Sequence, residues 1–339
     1  MLEAGDPGQP AVLLLHGFPE LSYSWRKVMP TLAAAGFHVV APDQRGYGET
    51  TGWDGRYDGD LASFRMLNLV RDAASLVSAL GKDWVHVVGH DFGSPVAAYC
   101  ALTRPDVFRS VVLMSAPFGG PPSALPSQEI HRELAALGRK HYQWYYSTRE
   151  ADGDMRACPQ GIHAFLRAYY HYKSADWKDN KPYPLQSWSA AELAKLPTYY
   201  IMELGKDMAG TVAPKMPSRA AEWLTDEELA VYADSFQRNG FQGGLQWYRC
   251  AISPTYVAEL MKLAGRTIDV PSMFIAGASD WGIYQRPPDF ERMQKTACTQ
   301  MQGCHLVEGA GHWVQQEQPE KTAGLLLSFL ERADTLRQR

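Results

Sequence analysis

From residue 11 onward, short unbroken apolar runs alternate with longer segments that repeat apolar residues at helical spacing. AVLLLHG (11–17), FHVVAPD (37–43), VHVVGHD (85–91) and SVVLMSAP (110–117) read as strands. Between them, SWRKVMPTLAAAG (24–36, interrupted by Pro30), MLNLVRDAASLVSALG (66–81) and PVAAYCALTRP (95–105) read as helices. Strands apolar at every position, not every second one, are buried on both faces. Strand–helix alternation at this spacing predicts an α/β fold, a mostly parallel twisted sheet flanked by helices.

The texture changes after SAPFGGPPSALP (115–126), a Pro/Gly-rich boundary. Residues 121–258 hold no strand-like run; they are rich in aromatic residues and helix formers, as in HRELAALGRKHYQWYY (131–146) and TDEELAVYADSF (225–236). PSMFIAG (271–277) and CHLVEG (304–309) resume the strand pattern, and PEKTAGLLLSFLERA (319–333) predicts a closing helix. The expected organisation is a core from 1–120 and 259–339 with a helical cap domain, 121–258, inserted between its halves.

Composition narrows the class. The 339 residues carry a formal charge of −4 spread along the chain and 45% hydrophobic residues, ordinary for a globular protein. No basic cluster or zinc spacing appears, so neither nucleic acid nor a metal is an expected partner. The amino end, MLEAGDPGQP, has no apolar stretch of the kind a secretory signal needs, and no run approaches a membrane span. Five scattered cysteines suggest free thiols in a reducing compartment, so cytoplasmic placement is expected.

The chemistry centres on GHDFGS (89–94), where Gly89 and Gly93 flank a sharp strand-to-helix turn. Such an elbow thrusts its central side chain, here Asp91, into the crevice at the carboxyl ends of the strands. The positive end of the following helix favours a negative charge there. Two further groups follow in the chain order nucleophile, acid, histidine: Asp280 at the end of PSMFIAGASD, and His312 in EGAGHW. Both sit at strand carboxyl ends and can converge with Asp91 as a triad.

HGFPE (16–20), DQRGYGET (43–50), GHDFGS (89–94), ASDWG (278–282) and GAGHW (309–313), with HYQWYY (141–146) and GFQGGLQWYR (240–249), together resemble the epoxide hydrolases of the α/β-hydrolase fold, the branch with an aspartate nucleophile. The resemblance spans nearly the whole chain. Family members usually begin with an extra strand and a half before the position of AGDPG, so a shorter sheet edge or an upstream start is expected here.

The bond being broken explains the carboxylate. A serine that attacked saturated carbon would form an ether, a dead end; a carboxylate forms an ester whose carbonyl water can attack. Asp is already ionised at neutral pH, with a reference pKa of about 4, so the histidine is free to activate that water. The resemblance implies an oxyanion hole from the backbone N–H groups of Phe18 and Phe92, and a pocket lined by Phe18, Pro19, Phe92, Trp144, Trp247 and Trp313. Trp188 is expected on the same apolar wall, and His16 and His90 are expected to be structural. Tyr142 and Tyr248 match the family's paired acids that protonate the epoxide oxygen, with Tyr145 and Tyr146 the nearest alternatives to Tyr142. No cofactor is expected; the partners are a small-molecule epoxide and water, and a homodimer is left open. The alternative is a haloalkane dehalogenase-type hydrolase using the same triad, but that family usually places a tryptophan where Phe92 stands, and Phe92 has no side-chain N–H for a halide. An ester or lactone hydrolase lacks its hydroxyl at position 91, and a non-catalytic binder on the same scaffold would leave the triad without work.

Overall fold

The structure, a computed structural model, describes residues 1–337. Its main sheet has seven strands: β1 (Leu2–Ala4), β2 (Ala11–Leu15), β3 (His38–Ala41), β4 (Val85–His90), β5 (Phe108–Met114), β8 (Ser272–Gly277) and β9 (Met301–Val307), in the order β1-β3-β2-β4-β5-β8-β9. Only β1 runs antiparallel, pairing Leu2 with Ala41 on the edge; every other pair is parallel. β9 begins three residues before the expected start, because its polar opening, MQG, on a half-buried edge lacks an apolar run.

Alternate side chains of the buried strands feed two cores, as the period of a strand dictates. Val12, Leu14, Val88 and Val112 pack with Leu32 and with Leu326 and Phe329 of the closing helix Pro319–Arg337. Leu13, Leu15, Val87 and Val111 face Leu69 and Val96, from helices Met66–Ala79 and Gly93–Thr103, on the other side. That second cluster continues without a break into the segment between β5 and β8 through Phe165, Tyr169 and Leu245.

The inserted segment is helical, as expected, with one correction. Arg139–His141 (β6) and Ile201–Glu203 (β7) form a two-stranded antiparallel ribbon where no strand was anticipated. At three residues each, RKH and IME are too short for an alternation to register. Helix Pro254–Met261 crosses residue 258, the expected seam.

Candidate active site

β4 ends at His90, and the chain reverses into helix Gly93–Thr103 through Asp91, one of two non-glycine residues with positive φ (51°) among the described residues. Backbone strain of this kind concentrates at functional turns. Close packing enforces it: a Cβ on Gly93 would sit 2.3 Å from the Leu15 carbonyl oxygen, and one on Gly17 would sit 2.4 Å from the Asp91 carboxylate. The HG and GHDFG motifs are therefore two sides of one contact.

The three expected triad groups meet. His312 Nε2 is 3.0 Å from Asp91 Oδ2, and His312 Nδ1 lies 3.1 and 3.2 Å from the Asp280 oxygens. Asp280 is fixed in turn by the Gly282 N–H at 2.7 Å. The other Asp91 oxygen, Oδ1, accepts the Phe18 N–H at 2.9 Å. Phe18 thus occupies its expected place as a backbone donor, whereas the Phe92 N–H makes no hydrogen bond to the carboxylate in this geometry.

Burial alone would raise the Asp91 pKa, but the His312 hydrogen bond and the Lys173 ammonium hold it well below the carboxylate range. Lys173 carried no signal in the sequence. It is 3% exposed, and its Nζ lies 5.1–5.9 Å from the ring centroids of Tyr169, Tyr199, Tyr200 and Trp313. Desolvation lowers its pKa, while Asp91, Asp280 and Glu20 favour the charged form.

Behind the triad, Glu20 and His90 form a fully buried pair at 2.6 Å. Burial opposes both charges, yet each partner stabilises the other: His90 is raised and Glu20 lowered from their ordinary values. His90 Nε2–H donates to the His312 carbonyl at 2.7 Å, so this pair orients the catalytic loop. His16 is buried with a lowered pKa, first from desolvation; its Nε2 accepts the Gln44 N–H, and its Nδ1 lies 2.9 Å from the Gly17 carbonyl.

Asp91 opens onto a cavity of about 550 Å3 that is also lined by Phe92, Tyr142, Tyr248, Trp144, Trp188 and Trp247. Three expected wall residues lie elsewhere. Phe18 is 1% exposed, its ring wedged against Tyr146, Phe241 and Tyr248 beneath the inserted helices. The Pro19 carbonyl accepts the Tyr170 hydroxyl, and Trp313 stacks on Tyr170 behind His312 with its indole N–H on the Tyr170 carbonyl. Adjacency in sequence to a site residue placed these three near the chemistry but on its buried side.

Of the tyrosines, Tyr142 and Tyr248 line the cavity with ring centroids 5.8 Å apart. The Tyr145 hydroxyl is committed to Asp154 and that of Tyr146 to Tyr169, and neither lines the cavity. Tyr142 donates to Gln285 at 3.3 Å and accepts from Gln143 at 3.1 Å; the Tyr248 hydroxyl has no hydrogen-bond partner among the described residues. Burial, and then the Asp91 charge, raises the pKa of both, so both keep their protons.

The model of the alpha/beta hydrolase fold family matches residues 10–319. Epoxide hydrolase B of Mycobacterium tuberculosis is 33% identical over 340 residues, covering 96% of this chain and 92% of that protein. This chain belongs to the epoxide hydrolases of the α/β-hydrolase fold. Epoxide hydrolase A of the same organism is also 33% identical, over 97% of this chain and 93% of its own length. Among solved structures, an epoxide hydrolase from an endophytic Streptomyces superposes with a TM-score of 0.81 at 32% identity, covering 99% of this chain and 92% of that one. Epoxide hydrolase A of Mycobacterium thermoresistibile gives 0.78 at 32% identity, covering 97% and 93%. Among the described residues, no helix is long and apolar enough to cross a membrane.

Proposed function

We infer that this chain hydrolyses epoxides to vicinal diols through an ester on Asp91. The observation that carries it is one carboxylate gripped from two sides, Phe18 N–H on Oδ1 and His312 on Oδ2, at the floor of a cavity that also holds two protonated tyrosines.

In the first step Asp91 attacks an epoxide carbon from behind. The carbon–oxygen bond breaks, and its electron pair goes to an oxygen that takes a proton from Tyr142 or Tyr248. In the second, His312 takes a proton from water, and the hydroxide adds to the ester carbonyl. The resulting oxyanion sits where Phe18 N–H already donates, with Phe92 N–H as the second donor once the carbon is tetrahedral. Collapse breaks the ester carbon–oxygen bond, and its electron pair leaves on the diol oxygen, which takes the proton held by His312. The second water proton, left on the Asp91 carboxyl, returns to the tyrosinate, so carboxylate and tyrosine are both restored. Residues 121–258 act as the cap that carries both tyrosines over a core of 1–120 and 259–339. A halide leaving group would want N–H donors beside the nucleophile, but the N–H of Trp247, whose ring packs on Phe92, is spent on the Arg45 carbonyl at 2.9 Å. The five cysteines are all free, which fits a reducing, cytoplasmic setting.

The test is a single turnover in oxygen-18 water with enzyme in excess. Label should enter Asp91 and be absent from the first diol; label in that diol would exclude the ester.

A further inference from the structure

The loop that carries His312 has its backbone held on every side, and one side chain outside the triad holds most of it. Glu317 is 8% exposed and its carboxylate accepts three backbone N–H groups: Gly311 at 2.9 Å and Ala175 at 2.8 Å on Oε2, and Trp313 at 3.0 Å on Oε1. Gly311 and Trp313 flank His312 in sequence. Ala175 belongs to the inserted segment, in the turn whose Lys173 carbonyl accepts the His312 N–H at 2.9 Å. The two loops lie so close that a Cβ on Gly311 would come within 2.5 Å of the Ser174 carbonyl carbon.

We propose that Glu317 is a positioning residue for ester hydrolysis, clamping the histidine loop to the 173–175 turn so that His312 stays in line between Asp280 and the reacting carbonyl. The geometry requires acceptors on both oxygens, because the three donors approach from two sides and none has another partner. Only an ionised carboxylate offers two acceptors with no donor of its own. Among the described residues Glu317 has no ion-pair partner: burial raises its pKa to about 7 against its three hydrogen bonds, and Asp176, of the same sign, raises it further. A buried carboxylate without a counter-charge is a costly way to close a turn, which points to a demand for accuracy at His312 over a demand for stability.

The effect should fall on one half-reaction. Asp91 attacks the epoxide without needing a proton removed, so ester formation tolerates a displaced imidazole. Ester hydrolysis does not, since His312 must meet both water and Asp280. In Glu317→Gln one amide oxygen can serve one side only, and the NH2 faces an N–H on the other.

The inference rests on the Asp91 ester, so wild type and variant are compared by rapid quench and mass spectrometry of the elbow peptide, with styrene oxide as the probe. Expected for Glu317→Gln is an ester-formation rate within about two-fold of wild type, a burst approaching one ester per folded site, and ester hydrolysis slower by about ten- to hundred-fold, as sub-ångström misplacement of a base produces. Because the burst counts competent sites, partial unfolding lowers amplitude without changing the hydrolysis rate. Equal hydrolysis rates in the two proteins, or a variant that does not fold, would overturn the positioning role. Absence of ester in the wild type would overturn the proposed function instead.

Discussion

Replacing Tyr248 with Phe removes a hydroxyl and almost nothing else. The ring is 2% exposed and held edge-on by Phe92 and Tyr146 at 5.1 Å and by Phe18 at 5.5 Å, contacts that Phe preserves. With no partner on the hydroxyl, its loss leaves no orphaned group behind, so the melting temperature should stay the same or rise slightly. In the alkylation transition state that hydroxyl meets a developing alkoxide. A hydrogen bond to a charged group contributes about 1.5–3 kcal/mol, so alkylation should slow by about 10- to 150-fold. Tyr142→Phe should cost less by about 0.5–1 kcal/mol, since Tyr142 must first give up its bond to Gln285, and a neutral hydrogen bond nets about that much. The assay is single-turnover ester formation in both variants, with ester hydrolysis followed separately. Alkylation at the wild-type rate in Tyr248→Phe, or a larger loss in Tyr142→Phe, would refute the assignment of Tyr248 as the principal acid.

Three other perturbations separate the remaining parts. In His312→Gln ester should accumulate on Asp91 while turnover falls by about 100- to 10,000-fold, the usual yield of a general base; mass spectrometry showing no adduct would count against it. Glu20 is held below 4.5, so its share of stability is present above that pH and lost as pH falls through its folded value; His90 is held above 6.5, so its share is present below that pH and lost as pH rises through its folded value. This pair's contribution should therefore be complete between about pH 4.5 and 6.5, and Glu20→Gln should cost about 3–5 kcal/mol there and less on either side; a wild-type-minus-variant difference independent of pH in chemical denaturation would contradict it. Lys173→Met should raise the Asp91 pKa and slow ester hydrolysis more than ester formation, read from the two phases of the same quench experiment; the reverse order would show that the ammonium does not act on the oxyanion.

What the sequence disclosed depended on how local the signal was. β2, β4, β5 and β8 are doubly buried and announce themselves as apolar runs; β9, half-buried on an edge, and the β6–β7 ribbon do not. Asp91, Asp280 and His312 were legible because each follows a strand in a fixed order. Glu20 and His90 stand 70 residues apart, and neither has a spacing that foretells the other. Glu317 binds only backbone N–H groups, which every residue has, so no residue type marks its partners. The misplaced wall residues, Phe18, Pro19 and Trp313, show a related limit: motif membership fixes where the backbone goes, while the direction of the side chain follows from the packing of a cap whose helices come from elsewhere in the chain.

The two half-reactions ask opposite things of Asp91, and the buried charges reconcile them. As nucleophile it must be an anion, which His312, Lys173 and His90 favour from one side while burial opposes it. Once alkylated, Asp91 carries no charge, but the Lys173 ammonium remains where it was. The attraction that the ammonium had exerted on the carboxylate then falls on the ester carbonyl, where the next event is the arrival of hydroxide and the growth of an oxyanion. Since the donors are buried and already oriented, that stabilisation costs no reorganisation at the moment of reaction. The same field that keeps the nucleophile ionised therefore becomes available to its own ester, so long as the ammonium is shielded from water. Four aromatic rings around Lys173 provide that shielding, and three of them, Tyr169, Tyr199 and Tyr200, come from the inserted segment, which gives its aromatic richness an electrostatic role in addition to walling the substrate cavity.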